Sequence, residues 1–216
     1  MAEEEGSTIY IVDDDARVTA ALSRLVRTGG FNVETYSSVG EFLDHFRPNV
    51  SGCIVLDVAL GDWNGLDLQR RLKAEGSVHP IIFISGESEL YTSVQAMKAG
   101  AVDFLVKPVS ADDLFQAIYA ALEKDKVARQ TSEEKRNVKQ LISQLTPREY
   151  EVLRLVVQGK LNKQIAYELG IVEKTAKVHR ARVMAKMHAR NVTDLVRMAD
   201  HAGIMQTLIQ TGRDAR

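Results

Sequence analysis

Five residues stand where their types can do chemistry together: Asp13, Asp14, Asp57, Ser85 and Lys107. Asp13 and Asp14 follow the apolar run TIYIV, Asp57 follows GCIVL, Ser85 closes PIIFIS, and Lys107 closes DFLVK just before Pro108. Alone, each is ordinary, since an acid after a strand is commonly a cap or turn residue. Together they make a set of three carboxylates, one ammonium and one hydroxyl. The carboxylates repel at neutral pH unless a cation sits among them. An oxygen-rich site with few protein ligands suits Mg²⁺ better than zinc. A metal with open positions beside a lysine and a hydroxyl suits a phosphoryl group, and a carboxylate can itself be the nucleophile.

These residues must be positioned by the elements that precede them. Short apolar, β-branched runs recur at 8–12, 31–35, 52–56, 80–85 and 103–107, with helical patterns between them. In ARVTAALSRLVRTGG, Val18, Leu22, Leu25 and Val26 share a face that stops at Gly29-Gly30. Asp15 reads as the residue that starts this helix, where an acid meets the positive end of the dipole. The last such helix, SADDLFQAIYAALEK, opens on a Ser110 cap and early acids. Five strands alternating with five helices predict an α/β, doubly wound, five-stranded parallel sheet. Continuously apolar third and fourth strands fit a sheet covered on both faces. Ligands in such folds bind beyond the carboxyl ends of the strands, where all five residues fall.

The net charge of −1 hides an asymmetry. Residues 1–125 carry 10 basic and 20 acidic residues, and residues 126–216 carry 18 and 9. An acidic half joined to a basic half predicts two domains with different partners. The single cysteine, Cys53, excludes an internal disulfide framework. No apolar run reaches the ~18 residues of a membrane span, and MAEEEGS lacks the features of a signal peptide. A cytoplasmic protein with no membrane partner is expected. Residues 126–145 lack Pro and Gly and are rich in helix formers, with Val138, Leu141, Ile142 and Leu145 on one stripe. They read as a helical linker, either an extended fifth helix or a second segment restarting near Thr131-Ser132.

In the basic half, Thr146 precedes Pro147, and Glu149 lies at the capping-box distance. LNKQIAYELG is then a short helix ending at Gly170, and IVEKTAKVHRARVMAKMHAR is a longer basic one. This is the pattern of a helix-turn-helix. At ~100° per residue, Ala176, His179, Val183 and Met187 suit the core, while Lys174, Lys177, Val178, Ala181 and Arg182 lie on roughly the opposite arc. Long cations reach phosphates or guanine edges, and small side chains touch thymine methyls.

Residues 7–125 resemble the receiver domain of two-component response regulators, flavodoxin-like in fold, through VDDD, VLD, FISG and KAGAVDFLVKP in that order. The resemblance implies that Asp57 is phosphorylated by a sensor histidine kinase. It implies Mg²⁺ held by Asp13, Asp14, Asp57 and the main-chain carbonyl of Ala59, with Ser85 and Lys107 binding the phosphoryl oxygens. It makes Ser85 and Phe104 the switch pair and the Lys107-Pro108 bond cis. It also implies a phosphorylation-dependent homodimer through the fourth helix and fifth strand, with Val94 and Lys98 at the interface. Residues 144–200 resemble the LuxR-type helix-turn-helix through LTPREYEVL, GKLNKQIAYELGI, KTAKVHRARVMAKM and DLVRMA. Here Lys177, Val178, Ala181 and Arg182 would face bases of double-stranded DNA, and Arg148, Lys163 and Lys174 would meet phosphates. RNA polymerase is a further partner such a regulator can engage.

The expected layout is a receiver over 1–125, a helical linker over 126–145 and an all-α helix-turn-helix domain over 146–216. The whole resembles the FixJ/NarL class of response regulators. Three departures stand out. Gly61 occupies the place of a common proline, which predicts a freer loop after Asp57. Val172 replaces a frequent cap serine, and Ala176 replaces a usual valine. An aspartyl-phosphate hydrolase is the enzymatic rival, but Ala59 stands where a second acid would be useful. Only self-phosphorylation and slow self-dephosphorylation are expected. A degenerate receiver or an RNA-binding regulator is the other rival. The complete acid, serine and lysine set counts against the first, and the lack of an aromatic-rich stacking sheet against the second.

Overall fold

The computed structural model describes residues 6–86 and 90–204. The chain divides after Arg129 into two compact units. The first contains β1 (Thr8–Val12), α1 (Ala16–Thr28), β2 (Asn32–Tyr36), α2 (Val39–His45) and β3 (Gly52–Asp57). A two-residue pair, β4 (Ala59–Leu60) and β5 (Trp63–Asn64), precedes α3 (Gly65–Ala74). Then come β6 (Ile81–Ser85), α4 (Leu90–Lys98), β7 (Asp103–Val106) and α5 (Ala111–Ser143).

The main sheet has the order β2-β1-β3-β6-β7, with every pairing parallel. The order reverses direction between β1 and β3, so the carboxyl ends of β1, β3, β6 and β7 border a single crevice. The strands are apolar throughout because both faces are covered. Side chains alternate along each strand. Tyr10, Val12, Ile54, Leu56 and Phe83 pack with Val39, Phe42, Leu66, Leu68 and Leu72 of α2 and α3. Ile9, Ile11, Cys53, Val55, Ile82 and Ile84 pack with Leu22 and Val26 of α1 and with Leu114 and Ile118 of α5. Burying each of these side chains contributes roughly 1.5–3 kcal/mol.

The stretch after Asp57, where Gly61 predicted a freer loop, forms the antiparallel β4–β5 hairpin, with Ala59 opposite Asn64 and Leu60 opposite Trp63. Gly61 turns it at φ 57°. Leu60 is buried and anchors the hairpin.

The second unit runs from residue 130 and contains the end of α5 with α6 (Pro147–Val157), α7 (Asn162–Leu169), α8 (Glu173–Lys186) and α9 (Val192–His201). Its core joins Val152, Leu153 and Val156 of α6, Ile165 of α7, Val183 of α8 and Leu195 of α9, with Val138 of α5 buried among them. Leu141, Ile142 and Leu145 pack against the same core. Residues 126–143 therefore continue α5, with no restart at Thr131-Ser132. The capping box read from sequence is present. Glu149 N donates to Thr146 Oγ1 at 3.3 Å, and Thr146 N donates to a Glu149 carboxylate oxygen at 2.9 Å. Residues of the basic domain beyond 204 lie outside the described residues.

Candidate functional site

The crevice at the strand ends gathers the residues singled out by type. Carboxylate oxygens of Asp13, Asp14 and Asp57 lie within 4.8 Å of one another. Asp13 and Asp57 are buried, at 0% and 7% exposure, and Asp14 is exposed. Lys107 bridges the two buried acids, its Nζ donating to Asp13 at 2.7 Å and to Asp57 at 2.9 Å. One cation cannot neutralise three acids. Burial raises the Asp57 carboxyl above its ordinary value, and Asp13 adds to that rise while Lys107 opposes it. Burial alone would lower the Lys107 ammonium, but its hydrogen bonds to Asp13 and Asp57 hold it above its ordinary value.

Local structure explains each placement. Asp15 caps α1, its Oδ1 accepting from Arg17 N at 2.8 Å, while Asp13 Oδ1 accepts from Asp15 N at 2.9 Å. The acids of the DDD run thus separate into site residues and a helix cap. Ser85 is one residue past the Asp57–Ile84 pairing on the neighbouring strand and is 1% exposed. Its hydroxyl lies 3.3 Å from the Gly86 carbonyl. Lys107 N donates to the Ser85 carbonyl at 2.7 Å, which extends the β6–β7 ladder to the lysine. The Lys107-Pro108 bond is cis. Phe104 is half-buried against the core, its ring centroid 6.4 Å from that of Phe83.

Sequence reasoning missed two supports of the site. Gly65 opens α3 directly beneath Asp57. A Cβ there would lie 2.5 Å from the Asp57 carbonyl and 2.9 Å from the Phe83 ring, so only glycine fits without displacement. Asn64 caps α3 by accepting from Leu66 N at 2.9 Å. The Asn-Gly pair looks like an ordinary turn signal, which concealed its closeness to the acid. Ala59 lies on the exposed edge of the hairpin, two residues past Asp57. Val94 and Lys98 lie one helical turn apart on the exposed face of α4, with Met97 and, on β7, Val106 also exposed.

In the second unit α7 ends at Gly170 and α8 follows after two residues. Ala176, Val183 and Met187 are fully buried, whereas Lys174, Lys177, Val178, Ala181 and Arg182 are all exposed. His179 is half-buried, on the side expected of it. Val172 caps α8 with no side-chain hydrogen bond, as its lack of a hydroxyl requires. Lys163 is exposed on α7. Arg148 differs from the rest: its guanidinium donates to Glu151 and to the Leu169 carbonyl and ties α6 to the end of α7. An ion pair between buried Glu149 and part-exposed Lys186 closes the unit, with Lys186 Nζ 2.6 Å from the Glu149 carboxylate. That hydrogen bond, followed by the one from Thr146 N, holds the Glu149 carboxyl down at about 2.

Comparison with known proteins agrees with both halves. The chain matches the response regulator receiver domain family over residues 9–119 and the luxR family of bacterial regulatory proteins over 143–199. It is 36% identical to the transcriptional regulatory protein FixJ of Bradyrhizobium diazoefficiens over 197 residues, covering 91% of this chain and 96% of that one. The chain is a two-component response regulator of the FixJ/NarL class. The regulator is also 45% identical to the response regulator protein TodT of Pseudomonas putida, covering 91% of this chain and 87% of that protein. Among solved structures, the response regulator StyR superposes with a TM-score of 0.76 at 42% identity, covering 90% of this chain and 98% of that one. Full-length FixJ from B. japonicum superposes at 0.55 and 37% identity, covering 93% and 98%. The regulator is thus a transcription factor with a receiver and a LuxR-type DNA-binding domain. Among the described residues, no helix is long and apolar enough to cross a membrane.

Proposed function

We propose that Asp57 accepts a phosphoryl group from a sensor histidine kinase and that this promotes receiver dimerisation and sequence-specific DNA binding. The observation that carries the reading is Lys107 bridging buried Asp13 and Asp57 at the strand ends, with buried Ser85 on the strand between. A carboxylate oxygen of Asp57 forms the new bond to phosphorus as the phosphorus–nitrogen bond of a phosphohistidine breaks. The leaving imidazole keeps the electron pair and takes up a proton. Lys107 and the Ser85 hydroxyl then donate to the phosphoryl oxygens.

The donor set fits Mg²⁺: three clustered carboxylates, one of them exposed, leave room for water and phosphoryl oxygens. Asp13, Asp14, Asp57 and the Ala59 carbonyl would hold the ion, which supplies charge neutralisation at the transferring group. As Ser85 turns toward the phosphoryl group, it vacates space beneath β6 that Phe104 can enter. The α4–β7 face would then change shape, and Val94 and Lys98 would meet a second copy. Two α8 helices so paired would enter successive major grooves, with Lys177, Val178, Ala181 and Arg182 toward bases and Lys163 and Lys174 toward phosphates. The regulator would act in the cytoplasm, with RNA polymerase as a further partner, and would catalyse no reaction beyond its own phosphorylation and dephosphorylation.

Trp63, the only tryptophan, lies on the hairpin beside the site and is 43% exposed. Its fluorescence should change on adding Mg²⁺ and then again on adding phosphoramidate. Asp57→Asn should abolish the second change. An unaltered donor response in that variant would remove Asp57 as the acceptor.

A further inference from the structure

A second buried charge cluster lies at the opposite end of the same sheet. Asp125, on α5, is 0% exposed. It accepts from Ser51 Oγ at 2.8 Å, from Gly52 N at 3.1 Å and from Arg129 Nε at 2.7 Å. The rest of the Arg129 guanidinium reaches the carbonyls of Val50 at 2.6 Å and Pro48 at 3.2 Å. His79 Nε2 lies 2.8 Å from the same Val50 carbonyl, and the Ser77 hydroxyl lies 3.2 Å from its Nδ1. His79 N donates to Ser77 Oγ, and Arg129 Nη2, which can only donate, lies 2.9 Å from His79 Nε2. The neutral ring completes a network in which every charged group is paired and hydrogen-bonded, the condition for a buried ion pair to be tolerated.

Helix stability does not require this arrangement, because an aspartate and arginine four apart on a helix already support it when exposed to water. Its distinctive feature is what it joins. Gly52 and His79 stand at or just before the first residues of β3 and β6, the strands whose far ends carry Asp57 and Ser85. Gly52 admits no side chain, since a Cβ would lie 1.8 Å from the Thr8 carbonyl oxygen, so the start of β3 packs directly on the backbone of β1. β3 is six residues long and spans about 20 Å of taut, buried backbone. On α5 the network falls at the last residues of the first unit. Residues 130–137 are all exposed, and Val138 is the next buried position. Asp125, buried, and Arg129, half-buried, are thus the last shielded positions of α5 before that exposed stretch.

We propose that Asp125 and Arg129 are positioning residues that couple the phosphorylation site to the linker helix, by bolting α5 to the starts of the two strands that end at Asp57 and Ser85. This rests on the response-regulator reading above.

The test uses the full chain with phosphoramidate and Mg²⁺ as the phosphoryl source. Phosphorylation is followed by Trp63 fluorescence and intact mass, and α5 by amide hydrogen exchange over residues 118–143. In the unmodified protein, phosphorylation should change exchange in α5 beyond Arg129 by at least threefold. Arg129→Ala and Asp125→Asn should take up the phosphoryl group at the unmodified rate but lose that change. Arg129→Lys, which keeps the charge beside Asp125 but not the reach to both carbonyls, should retain part of it. Ser51→Ala removes one hydroxyl bond only. It guards against loss of folding in the stronger variants and should reduce the change by an intermediate amount. Full phosphorylation-dependent change in folded Arg129→Ala, or in Ser51→Ala if that variant alone folds, would overturn the coupling. An unmodified protein that takes up no phosphoryl group at Asp57 would instead sink the functional reading, and the coupling with it.

Discussion

At the strand ends of the receiver, one lysine is shared between two buried acids. Removing that lysine leaves Asp13 and Asp57 buried beside each other with no cation. Lys107→Gln should therefore lower stability in EDTA by roughly 3–5 kcal/mol, the cost of breaking a buried pair. Mg²⁺ should return part of that loss, since a ligand that binds only the folded state stabilises it. Urea unfolding of both proteins, with and without Mg²⁺, checks this. Equal stability in EDTA would show that Lys107 contributes nothing before phosphorylation. His79 gives a pH dependence of its own. Burial, and then the neighbouring Arg129, lowers its pKa from 6.5 to about 4. The unfolded chain takes up that proton first as pH falls. Stability from this group is therefore complete above pH 6.5 and declines as pH drops toward about 4. A pH series of urea melts should show that slope, and His79→Gln should flatten it.

At the scale of elements, the two units illustrate different relations between pattern and contact. The apolar runs predicted strands, and all five formed within a residue or so of their predicted bounds. The helix-turn-helix was equally legible, because Thr146, Pro147 and Glu149 encode a helix start locally. The β4–β5 hairpin was not, since only the burial of Leu60 decides that the stretch folds back. Nor was the use of Arg148, whose partner carbonyl at Leu169 is distant in sequence. The ion pair of Glu149 with Lys186 joins the start of α6 to the end of α8. Glu149→Gln should loosen both, with a loss of roughly 1.5–3 kcal/mol for a charged hydrogen bond, read from amide exchange in α6 and α8. Because the folded pKa is depressed from 4.5 to about 2, this contribution is present above pH 4.5 and is lost as pH falls toward about 2.

For the whole molecule, an acidic receiver and a basic DNA-binding half answer to different partners. Binding of the phosphorylated regulator to its DNA should weaken steeply with salt through counterion release. Lys174→Ala should reduce the salt slope by about one and weaken all sequences alike, the behaviour of a phosphate contact. Arg182→Ala should cost about 1–3 kcal/mol and relax preference at one base pair, the behaviour of a base contact. Titrations at several salt concentrations on matched and mismatched duplexes separate the two. Arg182→Ala binding with unchanged preference would take that residue off the base-facing surface.

The sequence by itself determined the strand ends, the acid, serine and lysine set and the helix-turn-helix, because each follows from local periodicity and residue type. It also placed Lys174, Lys177, Val178, Ala181 and Arg182 on one exposed arc, since 3.6-residue periodicity fixes which side chains share a face. Tertiary structure alone decided which cation serves which acid. It joined Asp125 and Arg129, four apart on one helix, to Ser51 and Gly52. The physical reason is that burial belongs to the packed chain. Whether a charge meets water or a carbonyl depends on segments far away in sequence, and no local pattern records them.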